Sequence, residues 1–207
     1  MDASLLSVAN PPAAVLRDPA PLRQRIGAEW GGQGDLWVFG YASLIWRPEF
    51  EAEERRPALV GGWHRALRMR SRVNRGTPEV PGLVFALLPG GSCRGMAYRI
   101  PQARVEQELD RLWAREMPTG VYDPRLLTTR TPQGQVRALA FTLSRQSPAC
   151  LPPLEDGVLL EILRTAQGRF GSTLAYLTET AVALEACGIR DREIQRLMRV
   201  ARNAGLA

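Results

Sequence analysis

Leu36-Trp37-Val38-Phe39-Gly40-Tyr41-Ala42-Ser43-Leu44-Ile45-Trp46 is the stretch around which this chain of 207 residues is organised. Its first four residues are aliphatic, β-branched or aromatic, so they predict a buried strand. Small residues follow at Gly40, Ala42 and Ser43 and predict a loop whose backbone a ligand can approach. Exposed N–H groups in such a loop suit an anion such as a carboxylate. Ordinary connections share this pattern, which leaves both interpretations open at this point.

Composition favours one soluble domain with an extension. The chain is 45% hydrophobic and carries a net charge of +6, but its arginines are scattered, so nucleic acid is not the expected partner. We expect no membrane span, because the sequence lacks an apolar run of about eighteen residues. Three cysteines, Cys93, Cys150 and Cys187, form no paired framework. They predict free thiols in a reducing compartment, and therefore a cytoplasmic protein.

Strand patterns predominate as far as about residue 143. Residues 1–35 are rich in Pro and Gly and are interpreted as an N-terminal extension, with at most a short helix over about 22–30. Alternating residues predict strands over 58–60 and 63–70. Two hairpins are predicted as well, one over 82–88 and 95–100 around Pro89-Gly90-Gly91, the other over 126–131 and 136–143.

The helical segment 102–117 contains the most informative irregularity. Its apolar residues form one stripe, and Glu116 projects into that stripe at about 100° per residue. Glu108 and its acidic neighbours project to the edge of the apolar stripe or beyond it. Exposure to solvent explains charged residues at such positions. A frayed helix end or a structural ion pair also explains Glu116, and the pattern alone does not decide between these roles and a functional one.

The C-terminal part is predicted to be helical. Apolar residues recur at helical spacing over 158–166 and 174–184. Ser172 or Thr173 is a suitable cap for the second of these helices, and Gly188 is a suitable stop. Asp191 then begins a last helix. We expect these helices to pack on the sheet.

Few kinds of chemistry are compatible with these residues. His64 is the one histidine, and in a strand alternation a structural role is the commoner one, so Ser/His/Asp and Cys/His sites are disfavoured. The sequence has no His cluster, thiolate pair or phosphate-binding Gly-rich motif, so no metal and no cofactor are predicted. Acid/base catalysis without a cofactor remains.

Several motifs resemble the ChaC-type, glutathione-specific γ-glutamylcyclotransferases. Phe39–Trp46 is similar to the family's Phe-Gly-Tyr-Gly-Ser-Leu-Ile-Trp signature, and 74–78 to its Arg-Gly loop. Residues 95–101 resemble its Gly-x-Ala-Tyr-Arg-Leu-Pro strand, and residues 113–122 resemble its Arg-Glu-x-x-x-Gly-x-Tyr segment. Residues 171–177 resemble its Asn/Ser-x-x-Tyr-Leu element.

The resemblance implies an α+β, γ-glutamylcyclotransferase-like fold with a mixed sheet or small β-barrel and packed helices, residues 36–207 forming the catalytic domain. It implies cleavage of glutathione to 5-oxoproline (pyroglutamate) and Cys-Gly, with Glu116 as the catalytic acid/base. The expected substrate-binding residues are Tyr41, Ala42, Ser43, Leu44, Arg75, Tyr122 and Tyr176. A cyclotransferase for other γ-glutamyl amino acids or amines, and a catalytically idle binder of an acidic metabolite, remain alternatives.

One departure from the signature matters for these alternatives. Ala42 stands where the family usually has Gly, and a left-handed conformation there would favour the idle binder. We predict that φ of Ala42 is negative, so that Ala is harmless. We also expect the glycine carboxylate of glutathione to meet an arginine in the 68–75 region.

Overall fold

The computed structural model describes residues 17–207. Seven strands are present in this part of the chain: β1 Leu36–Gly40, β2 Glu54–Ser71, β3 Gly82–Ile100, β4 Asp123–Thr131, β5 Gly134–Thr142, β6 Gln167–Gly168 and β7 Gly171–Ser172. Its α-helices are α1 Ala20–Trp30, α2 Ser43–Trp46, α3 Val105–Glu116, α4 Asp156–Thr165, α5 Thr173–Ala186 and α6 Arg192–Asn203. The expected α+β class with a helical C-terminal part is confirmed.

Strands β1 to β5 close into a small barrel in the order β1-β3-β2-β4-β5. The opening strand β1 pairs antiparallel with β3 over its whole length. On its other side, Trp37 and Val38 pair parallel with Ala138 and Leu139 of β5, which closes the barrel. Because β1 is enclosed on both sides, most of its apolar side chains are buried, with Val38 and Phe39 fully inaccessible and Trp37 half-buried.

The predicted hairpin over 82–100 does not exist. Strand β3 runs without reversal from Gly82 to Ile100 and pairs with β2 along its length. Gly90 (φ 104°) and Gly91 (φ 72°) take conformations that glycine adopts readily, but here they accommodate a register shift opposite Gly61 and Trp63. Glycines that typically mark a turn therefore mark an irregularity within a long strand pair. The second predicted hairpin, β4–β5, is confirmed.

The helices cover the barrel. Helix α5 packs against β3 and α2, and both α4 and α6 pack against α5. The predicted caps are confirmed where Ser172 Oγ accepts a hydrogen bond from Ala175 N at 3.0 Å and Asp191 Oδ1 accepts one from Ile194 N at 3.0 Å. Glu108, expected in solvent, is instead buried, where it bonds Arg111 and accepts from Glu51 N.

The helix predicted over about 22–30 is present as α1 and joins the barrel's hydrophobic core. Ile26 is fully buried, and α1 packs against β4. Trp113 Nε1 donates to Pro19 O at 3.0 Å, and Arg17 donates to the carbonyls of Gly120 and Tyr122. Residues 17–30 are thus part of the packed structure, although the division at residue 36 stays a prediction. The preceding residues, 1–16, lie outside the described part.

Substituting Ile26 with Ala tests whether α1 stabilises the barrel. Removing a fully buried aliphatic side chain is expected to lower the free energy of unfolding by about 2 to 5 kcal/mol, as measured by chemical denaturation. Gln24→Ala, on the exposed side of the same helix, is the matched control and should change stability by less than about 0.5 kcal/mol. Equal stabilities of the two variants would contradict the packing of α1.

Candidate active site

A small cavity, partly open to solvent, lies at the end of β1. It is lined by Tyr41, Ala42, Ser43, Leu44, Phe85, Glu116, Tyr122, Phe141 and Tyr176. The structure therefore brings together all of the predicted site residues except Arg75. These residues come from segments far apart in the sequence, so the closed barrel and its helices are what places them side by side.

Glu116 is the last residue of α3, and its side chain is only 14% exposed. Arg115 Nε donates to Glu116 Oε1 at 2.8 Å. Burial raises the pKa of the Glu116 carboxyl above its usual range, Arg115 opposes that rise, and the nearby Glu49 adds to it. The ion pair that was an alternative explanation for Glu116 is present, but the carboxyl also faces the cavity.

Arg115 connects this carboxyl to the loop that follows β1. Its guanidinium donates to Ser43 Oγ at 3.2 Å, to Glu49 Oε2 at 3.0 Å and to the carbonyl of Arg47. Glu49 itself has φ 56°, a left-handed conformation that is uncommon for residues other than glycine. The position of the Glu116 carboxyl and the position of the loop are therefore fixed by the same cation.

The loop Tyr41–Leu44 leads from β1 into α2. Ala42 has φ −147°, so the prediction of a negative φ is confirmed, and Ala42 gives no support to the idle-binder alternative. Arg65, which is fully buried, donates from Nε to Tyr41 O at 2.5 Å and forms an ion pair with Asp191. This pair ties the loop to the start of α6.

Three tyrosines provide the polar groups on the remaining walls. Tyr41 Oη donates to Phe141 O at 2.9 Å, and the hydroxyl of Tyr122 interacts with it. The hydroxyl of Tyr176 accepts from Phe85 N at 3.2 Å. Burial raises the pKa of each of these tyrosines above its usual value. They are therefore neutral at physiological pH and act as hydrogen-bond donors rather than anions.

Arg75 lies behind the cavity wall. Its guanidinium carbon is 5.0 Å from the centre of the Tyr176 ring. Nη1 donates to Phe170 O at 2.6 Å, and Nη2 is 3.6 Å from Glu179 Oε2. Arg75 thus supports Tyr176 and does not line the cavity.

Four residues of the site were not predicted. Phe85 and Phe141 stand in ordinary apolar strands and gave no signal. Arg65 did give one, because it is a charged residue on the same face of a strand as Trp63 and Leu67, an irregularity comparable to Glu116 in its helix. Arg115 lies within the Arg-Glu-x-x-x-Gly-x-Tyr segment, but the sequence does not show that it contacts both the loop and the carboxyl.

Other reactive side chains are unsuited to the cavity. His64 Nδ1 contacts Gly90 O at 2.9 Å and does not line the cavity. Burial raises the pKa of the Cys93 thiol to about 11, which disfavours a thiolate. Within residues 17–207 no group of three or more His, Cys, Asp or Glu side chains is arranged to hold a metal ion. The titratable groups of the lining are thus Glu116 and the three tyrosines.

Comparison with known proteins places this fold in a class. The structure resembles the crystal structure of a "gama glutamyl cyclotransferease specific to glutathione from yeast", with a TM-score of 0.74 at 19% identity, covering 83% of this chain and 97% of that one. Residues 36–204 match the model of a protein family described as "ChaC-like protein". The chain belongs to this ChaC-like family, which confirms the resemblance seen in its motifs.

Two relatives are similar over most of their length. The Glutathione-specific gamma-glutamylcyclotransferase of Escherichia coli strain K12 is 35% identical over 167 residues, which cover 80% of this chain and 72% of the relative. The Glutathione-specific gamma-glutamylcyclotransferase 1 of Mus musculus is 33% identical over 190 residues, covering 88% and 83%.

The conformation of Ala42 leads to a prediction about catalysis. Because its φ is negative, replacing Ala42 with Gly relieves no left-handed strain, and turnover of a γ-glutamyl substrate should change less than tenfold, about 1.4 kcal/mol in the barrier. Steady-state kinetics of both proteins check this. A gain of more than tenfold in the glycine variant would show that Ala42 impairs the loop.

Proposed function

We propose that this protein cleaves glutathione by cyclising its γ-glutamyl group, which releases 5-oxoproline and Cys-Gly. The observation that carries the proposal is one buried carboxyl, Glu116, which lines the same cavity as the Tyr41–Leu44 loop. The names of the two relatives support the choice of glutathione among γ-glutamyl compounds.

The reaction uses a nucleophile that the substrate itself supplies. The α-amine of the γ-glutamyl group attacks the γ-carbonyl carbon, and a new C–N bond closes the five-membered ring. The amide bond to cysteine then breaks, and its nitrogen leaves as the amine of Cys-Gly. No water is consumed, so the enzyme has to hold the chain in a folded, near-attack shape and move protons.

Glu116 performs both proton transfers in this proposal. As a carboxylate it takes a proton from the α-ammonium group, and as a carboxylic acid it returns a proton to the departing amine. Burial helps the second step because it raises the pKa of the carboxyl, and the Arg115 guanidinium keeps the carboxylate accessible for the first step. One carboxyl held between these two influences serves as base and then as acid.

The cavity walls orient the substrate. The backbone N–H groups of the Tyr41–Leu44 loop bind the α-carboxylate, since the first N–H groups of a helix lack partners within it. The neutral hydroxyl of Tyr176 donates to the γ-carbonyl oxygen, where negative charge develops during the attack. Tyr122 and Tyr41 form the wall beside the ammonium group, and Arg75 acts indirectly by supporting Tyr176.

The proposal extends to the setting of the reaction. Residues 36–207 form the catalytic domain, with α1 from the extension packed on it. Cys93, Cys150 and Cys187 are all free thiols, which supports a cytoplasmic location, where such thiols stay reduced. No helix in the described part of the chain is long and apolar enough to cross a membrane.

A direct assay tests the proposed reaction. The purified protein is incubated with glutathione, and 5-oxoproline and Cys-Gly are measured by mass spectrometry. Equal amounts of the two products are expected. Formation of 5-oxoproline from γ-glutamylalanine but not from glutathione would replace glutathione with another γ-glutamyl substrate, and no product from either would contradict the reaction itself.

The pH dependence of the reaction should report the raised pKa of Glu116. The carboxyl must be ionised in the free enzyme, so kcat/KM falls as the pH drops through its folded pKa. Because burial raises that pKa, the acid limb should lie above about pH 4.3, where an exposed glutamate titrates. A pH series of kcat/KM measures this limb.

Two surface variants make the pH experiment specific. Glu49→Gln removes a negative charge that raises the pKa of Glu116, so the acid limb should move to lower pH. Glu51→Gln is the control, because Glu51 is exposed and pairs with Arg104. If the acid limb of kcat/KM lay at the same pH in both variants, the titrating group would not be Glu116.

Glu116→Gln separates catalysis from structure. The amide keeps the size of the side chain but does not accept the proton, so turnover should fall by about 10² to 10⁴ or more while glutathione binding persists. A raised folded pKa means that the carboxyl contributes stability below its unfolded pKa of about 4.3, and this contribution is lost as the pH rises through the folded value. At neutral pH the Tm of the variant should therefore equal or exceed that of the wild type.

Glu108 offers a matched control on the same helix. It is a buried carboxylate bonded to Arg111 and to Glu51 N, and it does not line the cavity. Glu108→Gln should lower the Tm and retain turnover per folded molecule. If Glu116→Gln kept a tenth of wild-type turnover, Glu116 would have a structural role like that of Glu108.

A further inference from the structure

An exposed aromatic ring contacts two guanidinium groups on the surface beside the cavity. Phe170 is 44% exposed in the turn that joins β6 to β7. The guanidinium carbon of Arg47 is 5.1 Å from the centre of its ring, and that of Arg169 is 4.5 Å away. We call Arg47, Arg75, Arg169 and Phe170 the Phe170 rim.

Contacts connect this rim to the cavity wall. Arg75 packs on the ring of Tyr176, which lines the cavity, and binds the carbonyl of Phe170. Arg47 follows α2, whose first residues also line the cavity, and its carbonyl accepts a hydrogen bond from Arg115. The rim therefore flanks the cavity on the side formed by α2 and Tyr176.

The exposed position of Phe170 is fixed by the backbone around it. Phe170 N donates to Asn74 O at 3.0 Å, and Arg169 N donates to Val73 O at 2.9 Å. A Cβ atom at Gly168 would lie only 2.5 Å from Val73 O, so the turn and the 73–76 segment are in close contact. The packing of the β6–β7 turn therefore keeps the Phe170 side chain exposed to solvent.

The rim carries an excess of positive charge. Arg47 pairs with Glu49 at 2.5 Å, and Arg75 pairs more loosely with Glu179 at 3.6 Å. Arg169 Nε donates to the uncharged Asn74 Oδ1 at 3.0 Å. Because Arg75 is buried, the exposed cations of the rim are Arg47, which is paired with a carboxylate, and Arg169, which is bonded to an amide. Such a surface suits one further carboxylate supplied by a ligand.

We propose that the Phe170 rim is the subsite for the carboxylate of the leaving group, and that it selects γ-glutamyl substrates whose amine half ends in a carboxylate. This inference rests on the proposed function. The loop at Tyr41–Leu44 binds the α-carboxylate, so the peptide half points out of the cavity. There Arg47 and Arg169 bind its terminal carboxylate, and the Phe170 ring packs against the peptide.

This assignment narrows the expectation drawn from the sequence. Arginines over 68–75 were expected to meet the glycine carboxylate. Arg68 instead donates to Leu151 O at 2.6 Å, and the backbone of Arg70 donates to Ala149 O at 2.9 Å, so this part of β2 adjoins segment 149–151. Arg75 belongs to the rim, where its guanidinium supports Phe170 and Tyr176. The side chains with the greatest exposure beside the ring are Arg47 and Arg169.

A substrate pair isolates the proposed contact. Glutathione is compared with glutathione carrying an ethyl ester on its glycine carboxylate, which keeps the γ-glutamyl group and the scissile amide. The measured quantity is the ratio of kcat/KM for glutathione to kcat/KM for the ester. Arg169→Gln and Arg47→Gln should each lower this ratio about fivefold, the effect of losing an exposed ion pair at the upper end of its usual range. Arg169→Lys keeps the charge and should restore part of the ratio.

Arg196→Gln is the matched control for net charge. Arg196 is as exposed as Arg47 and pairs with acidic side chains on α6 and at the start of α4. Its substitution should leave the ratio unchanged. The inference would be overturned if the ratio fell equally in Arg196→Gln. It would also be overturned if the ratio were unchanged in both active rim variants, Arg169→Gln and Arg47→Gln. Either result would leave the proposed function standing. A wild type that cyclises neither substrate would overturn both.

Discussion

Burial of the Glu116 carboxyl beside the Arg115 guanidinium is the interaction on which the arrangement of the site depends. A carboxyl removed from water tends to stay protonated, and a nearby cation restores its ionised form. Arg115 also holds Ser43 and the carbonyl of Arg47. Arg115 therefore influences both the pKa of the Glu116 carboxyl and the distance of that carboxyl from the Tyr41–Leu44 loop, so the two properties do not vary independently.

The barrel and the C-terminal helices hold the other end of this loop. Arg65 is buried within the barrel, and its ion pair with Asp191 connects the Tyr41 carbonyl to the N-terminus of α6. Breaking a buried ion pair by removing one partner commonly costs about 3 to 5 kcal/mol, because the remaining charge is left without compensation. Helix α6 lies outside the cavity, but this pair makes it part of the framework that shapes the loop.

Much of this arrangement follows from local sequence patterns, and the remainder depends on contacts between distant segments. The sequence predicts the inward projection of Glu116 and the caps at Ser172 and Asp191. Each of these features depends only on the spacing of residues within its own helix. The continuity of β3 through Gly90 and Gly91 depends on its pairing with β2, and turn-forming residues alone predict a reversal there. The expectation that Glu108 lies in solvent is wrong for the same reason. Its partner Glu51 N comes from a segment more than fifty residues away.

The separation in sequence of the cavity walls has a consequence for how activity appears during folding. Tyr41 bonds to Phe141 across 100 residues, and Tyr176 bonds to Phe85 across 91. Folds with many such distant contacts form slowly relative to those built from neighbouring segments. Because the wall at Tyr176 is synthesised late, a nascent chain holds Glu116 and the loop long before it holds a complete cavity. The return of enzymatic activity on refolding therefore requires both closure of the barrel and docking of α5. A measurement of helix content detects neither of these two events.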